Sequence, residues 1–403
     1  MKVLVTASER FAITNDGHLW SAKGSLSYAS LWAGYLEAYE QVYLMARANP
    51  VSEPPAGWAK ATGPGIQAVP VPYFVGPWEY VKKYNSVKRS IAKAVAKADA
   101  FHLRIPCTIG TEVYKLLPSD RPVGIEVVAD PYDIFAPGSV KHPLRPIFRW
   151  SFPRELRHQC RNASAALYVT KQALQKRYPC PNYSVGVSDV ELPEGMLLPT
   201  PRTFNSEQRS FTLIQVGTMA QLYKAPDILI SAVAACVQGG LDLKLILLGD
   251  GQYRPQLEQQ AHKLGISQQV QFCGQLPNRD AVRDKLDQAD LFVLPSYQEG
   301  LPKAMVEAMA RGLPCIGSTV GGIPELLPEE DMVPPGNVEA LATKIRQVLS
   351  NPQRMTKMSA RNLEIAQGYT QEILYKQRLA FYRYVREQTE FYLNHQTKFS
   401  LIS

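Results

Sequence analysis

The feature that most constrains the fold is an alternation in the second half of the chain between short apolar runs and amphipathic segments of about ten residues. Phe211–Val216, Leu243–Leu248, Val270–Cys273, Leu291–Leu294 and Pro314–Gly317 read as buried strands. Between them, Pro226–Val237, the segment from Gly251 to Leu264, the segment from Asn278 to Leu286, and Pro302–Arg311 carry apolar residues at helical spacing. Gly239-Gly240, Gly265 and Gly312 stop three of these helices, and Asn278 caps the start of another. Strands apolar on both faces need helices on both faces, which means βαβ units and a parallel sheet. Right-handed crossovers then bring the loops after the strands to one edge, where such sheets bind ligands.

The first half repeats the theme less cleanly. Lys2–Thr6, Gln41–Ala46, Ala100–Leu103 and Gly124–Val128 are predicted strands, and Ser27–Ala38 and the segment from Ser86 to Ala98 predicted helices. The stretch from about 50 to 80, rich in Pro and Gly, reads as loop, and the prolines between Pro179 and Pro201 read as an interdomain linker. The expected division is a first Rossmann-like domain over 1–185, a linker over 186–205, a second such domain over 206–368, and a long tail helix over 369–403 that crosses back to the first domain. A length of 403 residues suits two domains. With 45% hydrophobic and 20% charged residues, disorder and coiled coil are excluded as descriptions of the whole chain.

No apolar run approaches the ~20 residues of a membrane span, and the run at Val3–Val5 lacks the pattern of a secretion signal. The six cysteines are scattered without CxxC or Cys/His metal spacing, so reduced thiols, no bound metal and a cytoplasmic location are expected. The net charge of +8 concentrates in the first half. One basic cluster is Lys82, Lys83, Lys88, Arg89, Lys93 and Lys97; another runs from Lys141 through Arg145, Arg149, Arg154, Arg157 and Arg161 to Lys176 and Arg177. These are either solvated helix faces or a surface attracted to anionic headgroups at the inner face of the plasma membrane. No nucleic-acid-binding motif accompanies them.

The block from Ser296 to Glu325, SYQEGLPKAMVEAMARGLPCIGSTVGGIPE, carries the chemistry. Glu299 lies in the loop after a strand, Gly300 allows a sharp turn, and Pro302 suits the first turn of a helix. The free amides at that helix start form a ready anion site. Glu307 follows within the helix, so two carboxylates can grip different hydroxyls of one ligand while a phosphate rests on backbone amides between them. A sugar joined to a nucleotide diphosphate fits that geometry. Two glutamates at this separation on a solvated helix are the plainer alternative.

From about Phe211 to Val348 the chain resembles the C-terminal domain of family 4 glycosyltransferases, which have the GT-B fold of two Rossmann-like domains facing across a cleft. The shared pattern is Glu299-Gly300-Leu301-Pro302, Glu307-Ala308-Met309-Ala310, Gly312-Leu313-Pro314 and Gly321-Gly322-Ile323-Pro324-Glu325. Upstream, Val216-Gly217-Thr218-Met219 with Lys224, and the Gly249-Asp250-Gly251 turn, match the family's phosphate-site segments. The resemblance implies that Glu299 holds the transferred sugar and Glu307 the ribose. It implies that the amides of Gly300, Leu301, Pro302-Lys303 meet sugar and diphosphate, that Lys224 neutralises the leaving diphosphate, and that Gln275 and Leu276 lie beside the base. Lys303 is also a candidate in its own right, or a rim lysine.

Two departures from the family matter. Where it usually has an arginine six positions before the lysine, this chain has Thr218. Where it commonly has hydrophobic–His–x–His, this chain reads Phe101-His102-Leu103-Arg104. Strand alternation puts His102 and Arg104 on one side. Arg104 either supplies the missing positive charge or is an ion-pair partner, and His102 either reaches the sugar or is a core histidine. Gly17, in the loop Ile13–His18, either approaches the donor or forms an ordinary turn. Glu126, Asp130 and Asp133 either bind acceptor hydroxyls or pair with bases such as Lys141.

The resemblance further implies a retaining, metal-independent transfer from a nucleotide-diphosphate sugar, with no cofactor, to a saccharide or lipid-linked acceptor. The basic first half with Trp58, Trp78, Tyr80 and Tyr84 points to a lipid-linked acceptor and cell-surface polysaccharide assembly. A nucleotide-sugar epimerase and a non-catalytic nucleotide-sugar-binding protein are the alternatives. A dinucleotide oxidoreductase is disfavoured, because no GxGxxG follows the first strand.

Overall fold

A computed structural model describes residues 1–22, 28, 32–135, 142–207 and 210–400, with side chains to residue 396. The chain forms two compact units, one from Met1–Asp189 together with the residues from Tyr375 onward, the other from Val190–Leu374.

Unit 1 is built on β1 (Lys2–Ile13), β2 (Leu19–Ser21), β3 (Gln41–Pro50), β4 (Ala59–Lys60), β5 (Ile66–Pro72), β6 (Ala100–Ile105), β7 (Gly124–Val127), β8 (Ala165–Tyr168) and β9 (Tyr183–Gly186). Seven run parallel in the order β5-β3-β1-β6-β7-β8-β9, and β2 and β4 add antiparallel to the far end of β1. The order reverses between β1 and β6, so the loops after those strands flank a crevice at the carboxyl edge. On one face lie α1 (Gly76–Val95), α2 (Thr108–Leu116) and α3 (Arg145–Asn162), whose Val87, Ile91, Val113 and Leu156 pack on Phe101, Leu103 and Ile125. The opposite face receives the helix Ala33–Ala38 and the C-terminal helix Gln371–Ser400, where Tyr382 stacks on Tyr35 at 4.0 Å between ring centroids.

Several sequence expectations change here. The stretch from 50 to 80 is not loop. It holds β4 and β5, and the helix expected from Ser86 starts at Gly76, where Pro77 occupies the first turn. The prolines of β5 sit on an edge strand, which needs no inner ladder on its outer side. The first strand runs on to Ile13 because Phe11 and Ala12 are buried beyond the polar Ser8-Glu9-Arg10, with a register shift between Thr6 and Arg10. The proline-rich segment divides between the units: Tyr183–Gly186 is the last strand of unit 1, whereas Val190, Leu192 and Met196 are buried in unit 2. Of the helix expected at Ser27–Ala38, Ala33–Ala38 is seen and most of the remainder lies outside the described residues, as does Lys141.

Unit 2 is a six-stranded parallel sheet of β10 (Ser210–Val216), β11 (Asp242–Leu248), β12 (Val270–Gly274), β13 (Leu291–Leu294), β14 (Cys315–Ser318) and β15 (Met332–Val333), in the order β12-β11-β10-β13-β14-β15. Both faces are dry. Leu213, Leu245, Leu247 and Val293 point into one core, Ile214, Ile246, Leu248 and Phe292 into the other. This alternation of two buried faces produces the continuous apolar runs in the sequence. The order reverses between β10 and β13, which makes their loops the walls of this unit's crevice.

His102 lies on β6 in the core of unit 1, ringed by Tyr35, Tyr39, Phe381 and Tyr382. Its Nε2 shares a 2.9 Å hydrogen bond with the Tyr39 hydroxyl, and its Nδ1 stands 3.9 Å from the Glu126 carboxylate. Burial depresses the imidazole pKa to about 3. A histidine depressed on folding stabilises the fold fully above its unfolded pKa near 6.5, and that contribution is lost as pH falls from there towards 3. Between pH 7 and pH 5 the loss is about 2 kcal/mol. Urea denaturation should therefore show the His102→Gln variant losing about 2 kcal/mol less than the parent over that interval; equal losses would contradict a buried neutral His102.

Candidate active site

The switch point of unit 2 joins two loops distant in sequence. After β10 the chain turns at Gly217-Thr218, forms a short 3-10 turn over Leu222–Lys224, and enters α4 (Pro226–Gln238) through Ala225 in a left-handed conformation. After β13 it passes Ser296 to Gly300 and enters α5 (Lys303–Ala310) at Pro302. Lys224 Nζ donates to Glu299 Oε1 at 2.8 Å, across the crevice between the two loops. Their side chains are 15% and 7% exposed, so this contact is largely sheltered from solvent screening.

The surrounding residues hold this pair in place. Ser296 Oγ donates to Glu299 Oε1 at 2.8 Å, and Gln215 Nε2 donates to the Lys224 carbonyl at 2.7 Å. The Tyr297 amide donates to the Tyr223 carbonyl at 2.7 Å, which ties the two loops by their backbones. Gly217 is needed because the lysine lies across it: a Cβ there would stand 2.2 Å from Lys224 Cδ. Gly321, at φ +55°, lets the turn after β14 close on the Glu299 loop, and the next amide, Gly322, donates to the Gly300 carbonyl at 2.8 Å. Ser296 and Gln215 were not singled out in the sequence. Gln215 carried the readable signal, as an amide side chain among the apolar Leu213, Ile214 and Val216.

The other candidates of this unit lie along the same edge. No side chain caps α5, whose first turn follows Gly300, Leu301 and Pro302. Lys303 is half exposed and reaches Glu307 at 3.5 Å one helical turn on. Thr218 accepts from the Ala220 amide at 3.1 Å and donates to the Asp250 carbonyl at 3.4 Å, so it braces the turn against the Gly249-Asp250-Gly251 loop. The Gly249 amide donates to Gly274, and beyond Gly274 come exposed Gln275 and half-buried Leu276. A small depression lined by Gly217, Thr218, Lys224 and Pro226 lies beside the pair. Backbone amides, a lysine and two carboxylates along one edge equip it for a ligand carrying both phosphate and hydroxyl groups.

The unit 1 candidates have other partners. Arg104 Nη1 donates to Glu126 Oε2 at 2.7 Å, and its Nη2 stands 3.9 Å from Asp189. Burial works against its charge, and the carboxylates of Glu126 and Asp189 more than offset this, holding the guanidinium above its ordinary pKa. Tyr35 donates to the other oxygen of Glu126. Gly17, at φ +80°, lies in the β1–β2 hairpin turn and donates to the Thr14 carbonyl at 2.9 Å. Asp130 caps the short helix Pro131–Ile134 and pairs with Arg177, which also reaches Asp133 at 3.5 Å. Of the acidic cluster, Asp130 and Asp133 thus use Arg177 as their base and Glu126 uses Arg104.

Residues 200–364 match the family described as glycosyl transferases group 1. Protein CapJ of Staphylococcus aureus is 24% identical over 372 residues, covering 90% of this chain and 91% of that one. Other curated relatives match over 24% to 39% of their own length. Among solved structures, the lipopolysaccharide outer core galactosyltransferase WaaB superposes with a TM-score of 0.64 at 14% identity, covering 94% of this chain and 99% of that chain. HepE of Anabaena in complex with UDP-glucose superposes with a TM-score of 0.55 at 17% identity, covering 94% and 98%.

Substituting Gly321 tests how tightly the loops close. An alanine Cβ would fall 1.9 Å from the Glu299 carbonyl oxygen, whereas at Gly240, also left-handed at φ +90°, it would meet open space. Gly321→Ala should cost about 2–4 kcal/mol and Gly240→Ala about 1 kcal/mol, read as shifts of the urea midpoint. Equal shifts would contradict the close approach.

Proposed function

We propose that this chain, which has the GT-B fold and matches glycosyl transferases group 1 over residues 200–364, moves a sugar from a nucleotide diphosphate to a hydroxyl of a saccharide or lipid-linked acceptor, with retention and without a metal ion. The observation that carries this reading is the contact between Lys224 and Glu299 at the switch point, beside an uncapped helix start. In it, the lysine and the first amides of α5 meet the diphosphate, Glu299 takes sugar hydroxyls and Glu307 the ribose. Gln275 and Leu276, after β12, flank the base.

The acceptor oxygen bonds to the anomeric carbon on the face the diphosphate leaves. The old C–O bond breaks with its electron pair on the diphosphate, whose oxygen takes the acceptor proton. Lys224 and the helix dipole stabilise the charge that develops. Arg104, committed to Glu126, and His102, enclosed by aromatics, are left outside this reacting set. UDP-glucose bound by HepE supports a nucleotide-sugar donor, and the name of WaaB supports a cell-surface glycan as the product.

Thermal shift with UDP-, GDP- and ADP-sugars, then turnover of the hits, tests this. One donor should raise Tm in the parent and much less in Lys224→Ala or Glu299→Gln, Lys224→Ala should lower kcat about 10²–10³-fold, and chelators should leave turnover unchanged. No shift with any donor, or product formed from donor without acceptor, would contradict the reading.

The same proposal sets unit 1 against the inner face of the plasma membrane. α1 and α3 each carry five basic residues and one acidic residue, and expose Trp78 at 71% and Trp150 at 61% beside Val81 and Ile147. Both helices contact α2 on one sheet face, through the α1 and α2 residues Val87 and Val113 in a shared core and through the hydrogen bond of Gln159 to Thr111. Aromatics beside basic side chains suit an anionic interface. Sedimentation with phosphatidylglycerol vesicles should show binding that weakens in high salt and falls in a Trp78→Ser/Trp150→Ser variant; equal binding to neutral vesicles would contradict it.

A further inference from the structure

The carboxyl edge of unit 1 holds a pair of arginines that the donor site does not use. β1 and β3 continue past the last β1–β6 pair, Thr6 with Leu103, and in that extension Arg10 stands in register with Arg47. Neighbouring strands are about 4.8 Å apart, so the two residues are side by side. Like charges in that position repel. Among the described residues neither arginine forms an ion pair.

Arg47 is half-buried. Its Nη2 donates to the Ser8 carbonyl, and its guanidinium lies over the Phe74 ring at 5.0 Å from the centroid. Burial, with Arg10 adding to it, holds its pKa below the usual value, although Glu9, Tyr73 and Cys107 lie near enough to offset part of this. The residues before it on this face of β3, Tyr43 and Met45, belong to the core beneath α1 and α2. Arg47 therefore tops that core at the ligand edge, with α1 alongside: Lys83 of α1 donates to the Tyr73 carbonyl at 2.5 Å. Arg104 and Glu126 occupy the other face of the sheet, so the arginine pair is independent of them.

We infer that Arg47 and Arg10 form a subsite for a phosphoryl group of the acceptor. The inference rests on the glycosyl-transfer reading only in calling the ligand an acceptor. Two adjacent guanidinium groups, neither of them in an ion pair among the described residues, match a doubly charged, several-oxygen anion, which each fork can bind through two parallel hydrogen bonds. The exposed Trp78 and Val81, on the same helix as Lys83, would lie where a lipid carrying that phosphate leaves the bilayer.

The test uses the full chain carrying Lys224→Ala, which removes the donor-side lysine, titrated calorimetrically with inorganic pyrophosphate. Arg10→Gln and Arg47→Gln should each weaken binding about tenfold or more, and Arg47→Lys less, since it keeps charge but loses the fork. Arg10 is exposed, so its variant keeps the question open to measurement if Arg47→Gln fails to fold. Affinity unchanged in Arg10→Gln and Arg47→Lys would overturn the subsite. In the otherwise unaltered chain, the same substitutions should leave nucleotide-sugar binding intact, so failure of the donor reading and failure of this one are distinguishable. A second arm compares phosphatidylcholine vesicles doped with phosphatidate or with phosphatidylglycerol. An Arg47-dependent preference for the phosphomonoester assigns the phosphate to a lipid, and pyrophosphate binding without that preference assigns it to a soluble acceptor; either supports the subsite.

Discussion

The contact between Lys224 and Glu299 is the interaction on which the candidate site depends. It exists because β10 and β13, 75 residues apart at the paired side chains, are neighbours in the sheet. Right-handed crossovers send β11 and β12 to one side of β10 and leave the other side open for β13. The pair is buried enough that removing one member leaves the other uncompensated, at a cost of about 3–5 kcal/mol. Ser296, Gln215 and Gly217 each hold it from a different direction. The site is thus preorganised by the sheet order, with few freely rotating parts.

Unit 1 uses the same sheet order for different ends. Two residues of β6 that share a face, His102 and Arg104, are taken into a buried aromatic and ionic cluster with Tyr35, Glu126 and Tyr382. That cluster receives the C-terminal helix, and Arg383 pairs with Glu37 at 2.7 Å on its rim. Polar groups so enclosed anchor a helix against a sheet. The opposite face carries the exposed tryptophans, the basic helices and the arginine pair. One face serves cohesion and the other has the charge and aromatic surface suited to a partner.

Much of unit 2 was legible because its rules are local. Apolar strands dry on both faces leave unbroken runs, as in Leu243–Leu248, and caps such as Asn278, whose side chain accepts from the Ala281 amide at 2.9 Å, mark helix starts. The glycines around Glu299 and Lys224 were readable because close approach of two backbones excludes a side chain. Unit 1 was less legible where tertiary pairing overrode local signals. β5, read as loop for its prolines, is a strand because an edge tolerates them. β1 runs to Ile13 because its pairing with β2 and β3 outlasts three polar residues. His102 and Arg104 share a side of the strand, as alternation requires, but only the packed structure reveals that this side faces a helix.

The most direct measurement is a crystal structure with a non-transferable nucleotide sugar bound. In it, Lys224 Nζ should leave Glu299 for an oxygen of the diphosphate, Glu299 should accept from a sugar hydroxyl, and the first amides of α5 should point at phosphate. A bound nucleotide sugar lodged elsewhere, with the lysine–glutamate contact still closed at its present 2.8 Å, would contradict this placement.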